Sequence, residues 1–243
     1  MNLSIDIGNT RTKLAIFDNE SIVDTFVFNE INPRHIDEIK NRYADINKII
    51  LSSTKKTNTE FSTYLQTNFV NFIELTSNTE IPIENLYETK ETLGKDRLAA
   101  VVGANNIFPE TNVLVIDMGT AITYDFINSK AQYVGGTISP GLKIRYKSLN
   151  QHTENLPLLD VQEDFQFIGK NTKDAIISGV QSGIIFETDS YINYFKNEYE
   201  NLKTILTGGD AIFFDKKLKN TIFVNLNLNF IGLNTILDYN IKK

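Results

Sequence analysis

A chain of 243 residues, 41% of them hydrophobic, can fill two small domains or one large one, and a net charge of −6 with no basic run argues against nucleic acid as the main partner. With no cysteine, disulfides, thiolate metal sites and cysteine nucleophiles are excluded, and His35 and His152 are too few for most imidazole zinc sites. No apolar run is long enough to span a bilayer, and the first apolar stretch carries Asp6 with no basic region before it, unlike a signal peptide, so a cytoplasmic protein with no membrane partner is expected.

In chain order, Leu3, Ile5 and Ile7, then Leu14 and Ile16, alternate as two strands around Gly8-Asn9. The bend offers backbone N–H groups, the Asn9 amide, the Thr10 hydroxyl and the Lys13 ammonium to an anion, with Asp6 placed to hold magnesium through water. That set suits a nucleoside triphosphate, although many hairpins with such turns hold no ligand. Ser21–Phe28 reads as a third strand. Asn32 and Pro33 open a helix with Ile36, Ile39 and Tyr43 on one stripe, and His35 falls on its solvated side. Lys48–Ser52, a helix over Asn58–Thr67 capped by Asn58, and Val70–Leu75 complete an α/β half with a mixed sheet. After an irregular stretch, Gly94-Lys95-Asp96-Arg97 precedes an apolar helix, Leu98–Ala104. Its free N–H groups and dipole favour an anion there, while the plainer reading makes Asp96 a cap and Arg97 a surface residue.

Leu114–Thr123 then repeats the pattern of Leu3–Thr12 at a constant offset of 111 residues, from Asp6 to Asp117. A repeat of this kind predicts two similar domains, 1–112 and 113–243, each presenting a carboxylate to a cleft between them. Ala131–Ile138 is a strand, with turns at Gly135-Gly136 and Ser139-Pro140-Gly141. Leu142–Asn150 is a helix on which Lys143, Arg145 and Lys147 mark a solvated face. Gln151–Asp164 carries little signal and reads as a mobile loop over a site. Asn171 or Thr172 caps a long helix bearing Ile176, Val180, Ile184, Tyr191 and Phe195, with Gly179 and Gly183 allowing close packing. Lys203–Leu206 ends at Thr207-Gly208-Gly209-Asp210, a turn that accommodates a flat base or simply leads to a helix; Ile222–Val224 and Ile231–Tyr239 follow as strand and helix.

Asp6-Ile-Gly-Asn-Thr with Lys13, Gly94-Lys-Asp-Arg97, Asp117-Met-Gly-Thr-Ala, Gly135-Gly-Thr-Ile-Ser-Pro-Gly-Leu142, Gly169-Lys-Asn-Thr172 and Thr207-Gly-Gly209 together resemble the type III pantothenate kinases over nearly the whole chain. That family belongs to the acetate and sugar kinase, Hsc70 and actin superfamily, so the resemblance implies duplicated RNase H-like domains clasping ATP. It implies that Asp6, Ile7, Gly8, Asn9, Thr10, Arg11, Thr12, Lys13 and Thr120 bind the ATP phosphates, with Gly208 and Gly209 near adenosine. It also implies that Tyr87, Gly94, Lys95, Asp96, Arg97 and Thr172 hold pantothenate, with Asp96 as base. Asp117 would bind potassium or ammonium and Asp6 magnesium. A homodimer sharing its substrate site is implied as well. Ile122 departs from the family pattern, where a threonine is expected; Thr120 and Thr123 keep hydroxyls nearby. No phosphate-binding P-loop is present, since Asp164 stands where its first glycine is needed. Two other readings keep the fold: a non-catalytic ATP-responsive regulator, and a phosphohydrolase or kinase for another small alcohol.

Overall fold

The computed structural model describes residues 1–55 and 59–241; Asn58, the expected cap of the second helix, lies outside them. The chain divides into two compact units, one of Met1–Pro109, Ala131–Tyr133 and Asn227–Lys243, the other of Glu110–Lys130 and Val134–Leu226.

The first unit opens with β1 (Asn2–Ile7), β2 (Thr12–Asp18) and β3 (Ser21–Phe28) as antiparallel neighbours. Helix α1 (Pro33–Arg42), strand β4 (Lys48–Ser53), helix α2 (Thr59–Asn68) and strand β5 (Asn71–Glu74) follow, with β1, β4 and β5 parallel. Asn32 caps α1 as expected. His35 is not simply solvated: its Nδ1 accepts the Asn32 N–H at 3.3 Å and its ring stacks on Phe28 at 4.4 Å, closing a capping box. The sheet order is β3-β2-β1-β4-β5. Strand periodicity divides β1 between two faces. Leu3 and Ile5 enter a core with Ile36, Ile39, Phe61 and Leu65 of α1 and α2. Asn2, Ser4 and Asp6 therefore share the opposite face. A short strand β6 (Glu84–Asn85) and a 3-10 turn (Lys90–Thr92) lead into α3 (Lys95–Ile107).

The second unit begins with β7 (Val113–Met118) and β8 (Ala121–Ile127), followed by β9 (Gln132–Pro140), whose first residues pair with β6 inside the first unit. Then come α4 (Leu142–Gln151), α5 (Thr172–Glu198), β10 (Lys203–Thr207), α6 (Ala211–Asp215) and β11 (Phe223–Val224). The strand order β9-β8-β7-β10-β11, with β7 antiparallel to β8 and parallel to β10, and β10 parallel to β11, repeats that of the first unit. The fold is thus α/β with a duplicated RNase H-like arrangement, that of the actin-like ATPases. Leu114, Ile116 and Met118 face α4 and α5 in this unit's core, which leaves Asp117 on the other face, as Asp6 is in its own unit.

The last helix, α7 (Leu228–Ile241), belongs to the first unit and not to the second, as a division at residues 112 and 113 requires. The reason is backbone contact. A Cβ on Gly232 would lie 1.8 Å from the Ala99 carbonyl oxygen, and one on Gly103 would lie 2.4 Å from that of Leu228, so α3 and α7 touch where both lack side chains. Phe230 packs on Ala15 and Phe17, and Asn234 accepts a 2.8 Å bond from Asn2 on the face of β1 that carries Asp6. Gly232→Ala is expected to destabilise the protein by about 3 kcal/mol, because neither backbone can yield without separating the helices; a urea unfolding midpoint equal to that of the wild type would refute this. Among the described residues no helix is long and apolar enough to cross a membrane.

Candidate active site

Asp6 sits at the end of β1, opposite Lys13 on β2 and Ser52 on β4. Its Oδ1 is buried with no hydrogen-bond partner among the described residues, and neither has the buried Ser52 hydroxyl. Burial and then the Asp96 carboxylate push the Asp6 pKa up to about 6, against the opposing pull of Lys13 and the nearby Ser52 hydroxyl. An orphaned buried carboxylate oxygen is costly unless something is meant to meet it.

The bend that follows is closed by a 3.1 Å bond from the Gly8 N–H to the Arg11 carbonyl, with Asn9, Thr10 and Arg11 exposed. Lys13 is exposed as well. Ile7 packs against the core and Thr12 is buried, so these two can offer a ligand only backbone groups.

Asp96 lies in the first turn of α3, where its Oδ1 accepts the Arg97 N–H at 2.9 Å. A Cβ on Gly94 would fall 2.5 Å from that oxygen, so the glycine makes room for the carboxylate. Arg97 is buried, not on the surface as the plainer reading has it, and its guanidinium lies 5.4 Å from the Tyr87 ring centre. Tyr87 stacks in turn on Tyr133 at 6.0 Å. Asp96, Arg97 and Tyr87 are thereby gathered with Asp6 in one unit. Lys95 points elsewhere: it lines a cavity of about 420 Å³ with Thr76, Glu80, Lys90 and Tyr239, which Asp96, Arg97 and Tyr87 do not line.

In the second unit Asp117 pairs in register with Thr123 on β8 and Thr207 on β10. Two glycines shape the space around its carboxylate. A Cβ on Gly208, whose φ is +97°, would lie 2.4 Å from Asp117 Oδ1, and one on Gly119 would lie 3.0 Å away. The Met118 carbonyl accepts the Asp210 N–H at 3.0 Å, and the Thr120 carbonyl accepts the Gly141 N–H at 3.1 Å. The exposed Thr120 loop, the corner before α4 and the Gly208-Gly209 turn therefore meet beside Asp117. Asp210 is held above its ordinary pKa by burial, which Lys143 opposes and Asp160 reinforces.

The two hairpins are not residue-for-residue copies. Ile7 pairs with Thr12 in the first but Met118 with Ile122 in the second, so the second loop is one residue shorter. Ile122 takes the register of Thr12 and Thr123 that of Lys13. Ile122 is buried among Met118, Leu142 and Ile176, which accounts for an apolar residue there.

Thr172 opens α5 behind the Asn171 cap and lines an apolar groove of about 930 Å³ with Ile144, Leu149, Ala175, Gly179 and Val180. It belongs to the second unit, whereas Tyr87 and Gly94–Arg97 belong to the first. Near the end of the stretch 151–164, Gln162 and Glu163 are tied to neighbouring segments. The buried Gln181 amide accepts the Gln162 N–H at 2.8 Å and donates to its carbonyl at 3.0 Å, and Lys217 donates to the Glu163 carbonyl at 2.8 Å. Among the described residues no group of three or more histidines or carboxylates could hold a metal, so a cation here would rely on single carboxylates, water and ligand oxygens. Ser52 and Asp210 carried no signal of their own in the sequence.

A family model described as type III pantothenate kinase matches residues 2–194. Among curated proteins, a type III pantothenate kinase of Bacteroides fragilis is 45% identical over 240 residues, covering 99% of this chain and 98% of that protein. One from Phocaeicola vulgatus is 44% identical over 242 residues, covering 100% of both chains. Among solved structures, a protein of Campylobacter jejuni described as a Baf family transcriptional activator superposes with a TM-score of 0.62 at 26% identity, covering 99% of this chain and 100% of that one.

Proposed function

We propose that this chain, which belongs to the type III pantothenate kinases, transfers the γ-phosphoryl group of ATP to the primary hydroxyl of pantothenate, giving 4′-phosphopantothenate at the start of coenzyme A synthesis. The observation that carries the reading is Asp6, whose unpartnered buried oxygen sits beside Asp96 on a strand end that the fold repeats at Asp117.

In this reading the Gly8–Arg11 bend, Lys13 and the Thr120 loop receive the phosphates, and the Gly208-Gly209 turn, open at Gly209, receives adenosine. The orphaned Asp6 oxygen fits a magnesium ion reached through water, and the Asp117 carboxylate between Gly119 and Gly208 fits potassium or ammonium. When bound, such cations neutralise charge on the phosphates. Gly94, Asp96, Arg97 and Tyr87 take pantothenate. Asp96 orients the hydroxyl and accepts its proton late, because an alkanol is far too weak an acid to be ionised beforehand by a carboxylate. Most of the acceleration then comes from alignment and from fixed positive groups near the equatorial oxygens. Lys95, which lines a separate cavity, contributes its backbone at most.

A homodimer is the second part of the proposal. Ile138, Phe167 and Ile168 are 65%, 65% and 72% exposed, and Phe186 49%, on the unit whose apolar groove holds Thr172. In this reading Thr172 of one copy acts at its neighbour's substrate, and a monomeric mass in sedimentation equilibrium would remove the idea. A supply of cytosolic ATP supports action in the cytoplasm.

The regulatory description of the Campylobacter jejuni protein keeps a non-catalytic reading in the test. Incubation with ATP, magnesium and potassium should release ADP only when pantothenate is added. ADP release without it marks a phosphohydrolase. ATP binding with no turnover and no pantothenate binding in calorimetry marks a regulator.

A further inference from the structure

Helix α4 carries Lys143, Arg145 and Lys147, and two of the three are exposed as a solvated face requires. Arg145 is not. Its Nε donates to the Pro140 carbonyl at 2.8 Å, and its Nη2 donates to the Ser139 hydroxyl at 3.0 Å and to Glu187 Oε2 at 2.5 Å. The ion pair is largely shielded, with 20% and 24% of the two side chains exposed, and Glu187 Oε1 accepts a further bond from the Tyr124 hydroxyl at 3.3 Å. One planar guanidinium thus ties the end of β9 to α5, which a lysine's single ammonium cannot do at the same three points.

The corner held in this way touches the Thr120 loop. The Gly141 N–H donates to the Thr120 carbonyl, and a Cβ on Gly141 would fall 2.3 Å from that oxygen and 2.5 Å from the Gly119 oxygen. With backbone against backbone there is no slack, and any displacement of Pro140-Gly141 passes to Thr120. We infer that Arg145, braced by Glu187, is a positioning residue that presets the Thr120 loop for the phosphates of ATP. This rests on the phosphate role proposed for that loop. When the loop is loose, only the fraction of molecules with it in place binds nucleotide well, and apparent affinity falls by that fraction.

The test compares Arg145→Lys, Arg145→Met and Glu187→Gln with the wild type in steady-state kinetics and thermal unfolding, alongside Thr120→Val, which leaves the Thr120 carbonyl in place. Loss of charged hydrogen bonds should raise the KM for ATP by about tenfold in Arg145→Met and by less in Arg145→Lys, with the KM for pantothenate within about twofold of the wild type. Should Arg145→Met fail to fold, the same split is read from Arg145→Lys and Glu187→Gln. Parallel rises in both KM values, or an unchanged KM for ATP, overturn the inference. If Thr120→Val raises the KM for ATP and the Arg145 and Glu187 variants do not, the brace alone is wrong; if all are silent, the phosphate role of the loop falls with it.

Discussion

Asp96→Asn is expected to lower kcat by about 10²–10⁴-fold, the usual contribution of a general base, while the dissociation constant for ATP stays within a few-fold of the wild type. The substitution is nearly isosteric, and the Asn oxygen can still accept the Arg97 N–H that Asp96 Oδ1 accepts at 2.9 Å, so the first turn of α3 has no reason to unwind. What disappears is the group able to take the hydroxyl proton. The effect stays modest by the standards of catalytic residues because a loose phosphoryl transition state needs that proton removed only late. Steady-state kinetics with both substrates saturating, paired with calorimetric titration of ATP, reads the two quantities separately. An unchanged kcat would remove Asp96 from the role of base. A large loss of ATP affinity would instead move it to the nucleotide side of the site.

The sequence made the Asp6 and Asp117 hairpins legible because a two-residue period with a carboxylate at the turn survives in both copies, and the caps Asn32 and Asn171 act locally. Other features depend on contacts that no local pattern encodes. Gly232 reads as a weak point in a helix until Ala99 and Gly103 of α3 are brought against it, so the destination of α7 was hidden. The repeat aligns without a gap through Thr12, which conceals the loop shortened by one residue and the register that buries Ile122. Lys95 and Asp96 are neighbours in sequence, yet about 100° apart around a helix, and only Lys95 lines the cavity beside Thr76, Glu80 and Tyr239. Arg145 looked like one of three solvated cations, and only the positions of Pro140, Ser139 and Glu187 separate it from Lys143 and Lys147.

Asp6→Asn is expected to stabilise the ligand-free protein at neutral pH while abolishing most turnover. A carboxyl whose pKa rises from 3.8 to about 6 on folding binds its proton more tightly in the native state. Its contribution to stability therefore falls as pH rises from about 4 to about 6 and is flat above, a loss of about 3 kcal/mol for a shift of roughly two units. Asparagine cannot ionise. Without magnesium or nucleotide, urea unfolding of the variant should match the wild type near pH 4 and exceed it at pH 8 by an amount approaching that figure. Turnover should move the other way, by at least about 10²-fold, since the ionised oxygen is what a magnesium shell would require. Adding magnesium and ATP should then raise the wild-type unfolding midpoint more than the variant's, because binding linked to the ionised carboxylate offsets its burial cost. A variant less stable than the wild type at pH 8 would mean that the Asp6 charge is already compensated within the protein, most directly by Lys13 and Ser52, and that its buried oxygen was never held in reserve for a cation.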